Sequence, residues 1–242
     1  MTITASRLLA DDKVVFAGVG MPLLASALAG RRQAPNLTVV LEGGIIGAQP
    51  LPGRLPISTN EMRAAYGAPM LTDITDIFLF AQRGFFDYGF LGAAQVDRYG
   101  NINTSCIGRH ELPKVRLPGS GGANDIISLC TEIFIVTTHE PRRFVERVDF
   151  VTSPGYLHGW GSRAESGLVF GQVSKVVTDL ALLDFEPESK HMRLRALQPG
   201  VTVDQVRAAT GFELPVADSI EELPAPRPDE LAILRDLNGV TD

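Results

Sequence analysis

The first forty residues constrain the architecture more than any other stretch of the chain. Val14-Val15-Phe16-Ala17 is a short β-branched and aromatic run, and Gly18-Val19-Gly20-Met21-Pro22 follows it at once. Leu23 to Gly30 then carries apolar and small side chains at helical density, and Leu37 to Leu41 is a second apolar run. Strand, glycine turn, helix and strand in that order predict a parallel βαβ unit, hence an α/β fold with an open, largely parallel sheet flanked by helices. Pro22 suits the first helical turn, where its missing N–H costs nothing. Strands buried on both faces read as continuous apolar runs, which is the pattern seen here.

The second strand ends in Leu41-Glu42-Gly43-Gly44. A carboxylate at the carboxyl end of a buried strand is costly unless something uses it. In open α/β sheets that edge is where ligands bind. The two glycines carry no side chains, so another molecule is expected to approach the backbone closely. A loop glutamate just past a strand end would account for the same residues.

Three other clusters are rich in glycine or amides. The Gly18–Gly20 turn would expose backbone N–H groups to an anion at a helix start. It is no dinucleotide fingerprint, because Leu23 stands where the third glycine is required. Gly119-Ser120-Gly121-Gly122-Ala123-Asn124-Asp125 precedes the apolar run Ile126 to Leu129, and Gly92 to Asn103 gathers turn formers and amides. Singly, each reads more readily as architecture than as chemistry. Elsewhere, Ile133 to Val136 predicts a strand, while Ile77 to Ala81 and Phe90 to Ala94 fit either strand or buried helix. Leu180 to Phe185 and His191 to Leu197 alternate around a polar turn and predict a hairpin. Asp204 to Ala209 predicts a short helix stopped by Gly211. With no repeat or linker in view, residues 1–242 are expected to form a single domain, with a C-terminal strap and helix at about 221–242.

A net charge of −6 without a basic block argues against nucleic acid. No apolar stretch is long enough for a membrane span, and Met1 to Asp12 lacks the pattern of a signal peptide. Cys106 and Cys130 have neither CxxC nor metal-like spacing, which predicts a disulfide-free cytoplasmic protein. Cys106 reads as a small buried residue, since no histidine stands at a motif spacing that would make it a nucleophile. His110, His139, His158 and His191 show no metal spacing either, so no metal is expected and surface or capping roles are assigned to them. Arg142-Arg143 reads as a solvated helix start, with the phosphates of a ligand or a partner subunit as other uses. Glu61 and Arg63 are candidates for lining an acyl pocket.

Taken in order, GVGMP, LEGGIIG, GAAQVDRYGNINTS, GSGGAND, VDFVTSPG and PGVTVDQVRAATGFEL resemble the class I CoA-transferase family, and most of all the β-subunits of the glutaconate CoA-transferase type. These collinear motifs run from Val14-Val15 to Leu214 and so cover most of the chain. The resemblance implies the CoA-transferase-like fold and a catalytic glutamate, which falls on Glu42. Leu41 and Gly43 replace the serine and asparagine of the family's usual Ser-Glu-Asn-Gly motif. It further implies that backbone donors stabilise an oxyanion or hold substrate, at Gly18, Val19 and Gly20 and at Gly121, Gly122, Ala123 and Asn124. The implied reaction moves CoA from an acyl-CoA to a carboxylic or dicarboxylic acid through a glutamyl-CoA thioester. Coenzyme A would then be a substrate, with no tightly bound cofactor, and an α-subunit would complete a heterodimer assembling to α2β2 or higher. Family members with an altered glutamate motif hydrolyse, decarboxylate or cleave C–C bonds of acyl-CoA esters, and that is the alternative.

Overall fold

The computed structural model describes residues 1–240. The chain divides into two compact units: Met1–Phe90 with Leu129–Thr131 and the chain from Pro226 on, and Leu91–Ser128 with Glu132–Ala225. Both are α/β, with strands in open sheets and helices beside them.

The first unit opens with helix α1 (Thr2–Arg7), strand β1 (Val14–Phe16), helix α2 (Met21–Gly30) and strand β2 (Thr38–Leu41). This is the βαβ unit expected from the sequence: β1 and β2 pair in parallel, with Phe16 opposite Val40. Strands β3 (Ile45–Ile46) and β4 (Met70–Leu71), helix α3 (Ile74–Gln82) and strand β5 (Tyr88–Leu91) follow. The order is β5-β1-β2-β3-β4; β5 joins β1 in parallel, while β3 and β4 add antiparallel at the other side. The ambiguous run Ile77 to Ala81 is helix, because Asp73 caps it by accepting the Asp76 N–H at 3.0 Å. Val15, Phe16, Val40, Leu41, Leu23 and Leu28 are buried between strands and helix. Each such side chain contributes about 1.5–3 kcal/mol.

The second unit contains two short hairpins, β6 (Gln95–Val96) with β7 (Ile102–Asn103) and β8 (Cys106–Ile107) with β9 (Val115–Arg116). Helix α4 (Ala123–Leu129) leads to β10 (Glu132–Val136); α5 (Ser162–Glu165), β11 (Gln172–Val177), β12 (Ala181–Phe185), β13 (Met192–Leu197), α6 (Val203–Ala208) and β14 (Val216–Glu222) follow. The sheet runs β10-β11-β12-β13-β14, parallel at both sides and antiparallel through the β12–β13 hairpin that alternation predicted. Part of the expected C-terminal strap is therefore strand or helix: β14 extends to Glu222, and helix α7 (Pro228–Leu237), which belongs to the first unit, begins at Pro228. Glu230 anchors α7. It is fully buried and pairs with Arg7 at 2.6 Å and Arg32 at 2.7 Å. Burial alone would raise its carboxyl pKa, but the bonds from Arg7 and the Arg227 N–H and the charges of Arg7 and Arg32 hold it below the usual range.

The amide-rich stretch Gly92 to Asn103 is architecture. Asp97 accepts N–H bonds from Tyr99 and Asn101 at 3.0 Å, and Asn101 Oδ1 receives the N–H of Gly155 at 2.9 Å and of Leu157 at 3.0 Å. Buried Gln95 and Asn103 form a second chain of bonds that ends at the exposed Asp149. Buried polar groups satisfied in this way specify one arrangement of their loops. Burial nonetheless raises the Asp97 carboxyl pKa above its ordinary value.

Two expectations need correction here. Arg142 and Arg143 lie in a turn, with Arg142 paired to Glu140 and Arg143 donating to the Ala93 carbonyl at 2.8 Å. His139 is neither a surface nor a capping residue: it is buried, stacked on Phe144 with centroids 3.9 Å apart, and lies 3.1 Å from Thr178 Oγ1 and 3.0 Å from Thr210 Oγ1. Burial pushes its imidazole down to about 4, against the opposing charge of Asp179. Because the folded pKa lies below the unfolded value of 6.5, the neutral form is the one folding favours. Stability from this site is complete above pH 6.5 and falls as pH drops toward about 4, by about 3 kcal/mol in total. Urea midpoints measured across that window should fall in the wild type and flatten in His139→Gln; equal slopes would contradict the assignment.

Candidate active site

Glu42 sits at the tip of a tight hairpin. Leu41 pairs with Ile45, so Glu42, Gly43 and Gly44 form the connecting loop, closed by the Gly44 N–H donating to the Leu41 carbonyl at 3.1 Å. Gly44 has φ +93°, the left-handed conformation that ends such three-residue loops. The side chain of Glu42 is half-buried, and among the described residues its carboxylate has no hydrogen bond or ion pair. Of the flanking glycines, Gly44 has spent its N–H on closing the turn, which leaves Gly43 as the N–H donor beside the carboxylate.

Both glycines were expected to admit another molecule. They admit this chain instead. A Cβ on Gly43 would collide with Asn60 Oδ1 and stand 2.5 Å from the Thr59 carbonyl oxygen. One on Gly44 would collide with the Thr72 carbonyl oxygen and stand 2.6 Å from the Thr72 carbonyl carbon. The Thr72 N–H also donates to the Gly44 carbonyl at 2.8 Å. Thr59, Asn60 and Thr72, which the sequence alone did not single out, thereby grip the turn from two sides. The signal was present in the paired glycines, but it identified no partner. Glu61 and Arg63, the candidates for an acyl pocket, pair with each other, and Glu61 also accepts the Ile57 N–H at 2.8 Å.

Gly18, Val19 and Gly20 leave strand β1 next to Glu42. Phe16 lies opposite Val40, and the Ala17 N–H donates to the Val40 carbonyl at 3.0 Å, so continuing the register brings Gly18 level with Glu42. Gly20 has φ +82° and caps α2 without a side-chain bond. Among the described residues the N–H groups of Gly18, Val19 and Gly20 have no partner. The first unit therefore brings together a carboxylate without a counter-ion and a turn with spare donors, at the carboxyl ends of adjacent parallel strands.

The other four predicted residues belong to the second unit. The Ala123 N–H donates to the Ser120 carbonyl at 3.0 Å, and the Asn124 N–H to Ser120 Oγ at 3.1 Å. The Asn124 side chain donates to the Thr152 carbonyl at 3.0 Å. Thr104 binds Gly119 through both its hydroxyl and its backbone carbonyl. Ala123, Asn124 and Thr104 thus anchor the turn. Gly121 and Gly122 are the members whose N–H groups have no partner among the described residues.

Cys106 and Cys130 are free and buried, and burial pushes the Cys130 thiol up to about 12. Among the described residues no group of three or more His, Cys, Asp or Glu side chains is placed to hold a metal ion, and no helix is long and apolar enough to cross a membrane.

Chemically, a carboxylate with no partner among the described residues is available to act as a nucleophile or a base. The family model described as Coenzyme A transferase matches residues 1–209. The chain is 39% identical over 242 residues to the β-subunit of the 3-oxoadipate CoA-transferase of Pseudomonas knackmussii, covering 100% of this chain and 92% of the relative. It is 34% identical over 241 residues to the β-subunit of the glutaconate CoA-transferase of Acidaminococcus fermentans, covering 97% of this chain and 89% of the relative. The crystal structure of that glutaconate coenzyme A-transferase superposes with a TM-score of 0.91 at 32% identity, over 97% of this chain and 91% of that one. The decarboxylase AibA/AibB superposes with a TM-score of 0.84 at 25% identity, over 98% of this chain and 92% of that one.

Proposed function

Given that the chain belongs to the coenzyme A transferase family as a β-subunit, we propose that Glu42 is the nucleophile that transfers CoA between an acyl-CoA and a carboxylic acid. The observation that carries this is the half-buried carboxylate at the strand-end hairpin, without a partner among the described residues and beside a turn with spare N–H donors. The Glu42 carboxylate attacks the thioester carbonyl and expels CoA thiolate, giving a mixed anhydride. The thiolate then attacks the glutamyl carbonyl and releases the first acid as its carboxylate, leaving a glutamyl-CoA thioester. An incoming carboxylate reverses both steps and leaves as the new acyl-CoA. Thioester energy is kept throughout, with CoA as a substrate and without a tightly bound cofactor.

Each addition places negative charge on a carbonyl oxygen. The Val19 N–H, in the turn that follows the strand paired with β2, is the proposed donor to it. Gly121 and Gly122 are proposed for the same role on the chemistry of their own turn, since their N–H groups have no partner among the described residues. Anhydride and thioester must also be kept from water. A separate α-subunit is the proposed partner, in an assembly of α2β2 or higher, since both relatives are named as one subunit of their enzymes.

Dicarboxylic acids are favoured as substrates by the relatives named for 3-oxoadipate and glutaconate. The likeness to a decarboxylase supports a second reading, in which the same fold removes a carboxyl group, with hydrolysis of the acyl-CoA as the other variant the family resemblance leaves open. Incubating the co-produced complex with an acyl-CoA and an isotopically labelled acceptor acid separates the two. Transfer is expected to put the label into a new acyl-CoA with total thioester conserved. Loss of thioester to water, or release of carbon dioxide, would favour the second.

A further inference from the structure

The space above Gly43 belongs to Asn60. A Cβ at residue 43 would collide with Asn60 Oδ1, and would lie 3.1 Å from Asn60 Cα. The Asn60 side chain is therefore held against the residue that directly follows the proposed nucleophile. The turn that presents it is braced without using the Asn60 side chain. Glu61 accepts the Ile57 N–H at 2.8 Å and pairs with Arg63, the Glu61 N–H reaches the Ser58 carbonyl at 3.3 Å, and the Asn60 N–H reaches Ser58 Oγ at 3.3 Å. The Asn60 amide itself makes one long contact, with Thr59 Oγ1 at 3.5 Å, and its nitrogen donates to nothing among the described residues. Asn60 is also exposed, so the fold gains little by keeping an amide there.

We propose that Asn60 recognises the carboxylate substrate at the transfer site, its side-chain amide donating to the acyl oxygen while that group is joined to Glu42. This rests on Glu42 as the nucleophile. A hydrogen-bonded turn carrying a spare donor, fitted against a glycine that any side chain would close, is suited to that task because it holds the donor next to the reacting residue. The other charged groups on the two segments that grip the hairpin are already engaged. Glu61 is paired with Arg63, Asp73 caps the Asp76 N–H, and Asp76 accepts from the Thr72 hydroxyl. The Gly18–Gly20 turn carries no titratable side chain.

The test measures the rate of adduct formation on Glu42 in the complex with its α-subunit, trapped with borohydride across pH, together with the thermal midpoint. Asn60→Ala is expected to slow the adduct by about tenfold to a hundredfold with the midpoint within about 2 °C of wild type. Asn60→Asp is expected to move the acid limb upward by about one pH unit, because a second carboxylate against Gly43, one residue from Glu42, disfavours the ionised form of Glu42. An Asn60→Ala rate within about twofold of wild type, a rate loss that follows a fallen midpoint, or an unmoved acid limb in Asn60→Asp overturns the inference while leaving the nucleophile in place. Absence of any adduct in the wild type overturns both.

Discussion

Glu42→Gln should lower transferase turnover by at least about 10³-fold while leaving the thermal midpoint unchanged within about 2 °C. The amide is nearly isosteric with the carboxylate, and no bond inside the described chain depends on the charge, so the fold has nothing to lose. The reaction loses its nucleophile. Glu42→Asp should also be poor, because shortening the side chain by one methylene withdraws the attacking oxygen from a hairpin that cannot follow it. Steady-state assays on the complex with the α-subunit measure both. Turnover of Glu42→Gln within tenfold of wild type would remove Glu42 from the chemical step, as judged on the scale of about 1.4 kcal/mol per decade.

Gly44→Ala should do comparable damage by another route. At φ +93° an L side chain is strained, and here its methyl would also be driven into the carbonyl of Thr72. The strain costs about 1–3 kcal/mol and the clash adds to it, so a total of about 3 kcal/mol or more is expected. That corresponds to a fall in thermal midpoint of about 6–12 °C for a chain of this size. The hairpin would open from the Thr72 side, so activity should fall with stability. Gly20→Ala is the control: φ is +82°, but nothing lies within 4 Å of the added Cβ. It should carry the backbone strain of about 1–3 kcal/mol without the clash. A Gly44→Ala protein as stable as Gly20→Ala would show that the two segments do not grip the turn.

Long-period signals in the sequence carried through to the structure. The βαβ opening, the strand at Ile133 to Val136 and the β12–β13 hairpin are all present because their side-chain patterns suit one burial arrangement only. The two-residue strands β3, β4, β6, β7, β8 and β9 left no such trace, being too short for any periodicity to develop. Phe90 to Ala94 shows the limit from another side: Phe90 and Leu91 are strand, but the remainder leaves the sheet at Gly92. At the candidate site, the position of Glu42 was legible from the strand end and the glycines, and the family resemblance supplied the role proposed for it. The reason for those glycines was not legible. Close approach is symmetric between a ligand and a distant part of the same chain, and a sequence does not say which of the two arrives. Asn124 shows the same ambiguity: a side-chain amide next to a glycine turn suits a ligand, and here it ties the turn to Thr152. His139 was misplaced because a lone polar residue carries no mark of the two threonines that satisfy it.

The covalent step on Glu42 is the centre of the account, and one measurement addresses it directly. The complex of this chain with its α-subunit is incubated with acyl-CoA in the absence of acceptor, reduced with borohydride, digested and weighed peptide by peptide. A glutamyl-CoA thioester is reduced at the side-chain carbonyl to an alcohol, so the peptide spanning Leu37 to Ile46 should lose the mass difference between a carboxyl group and a hydroxymethyl group, at Glu42. The Glu42→Gln protein should show no such change. An unmodified peptide in a preparation that still turns over acyl-CoA would contradict the nucleophile, and would leave Glu42 at most a base acting on water.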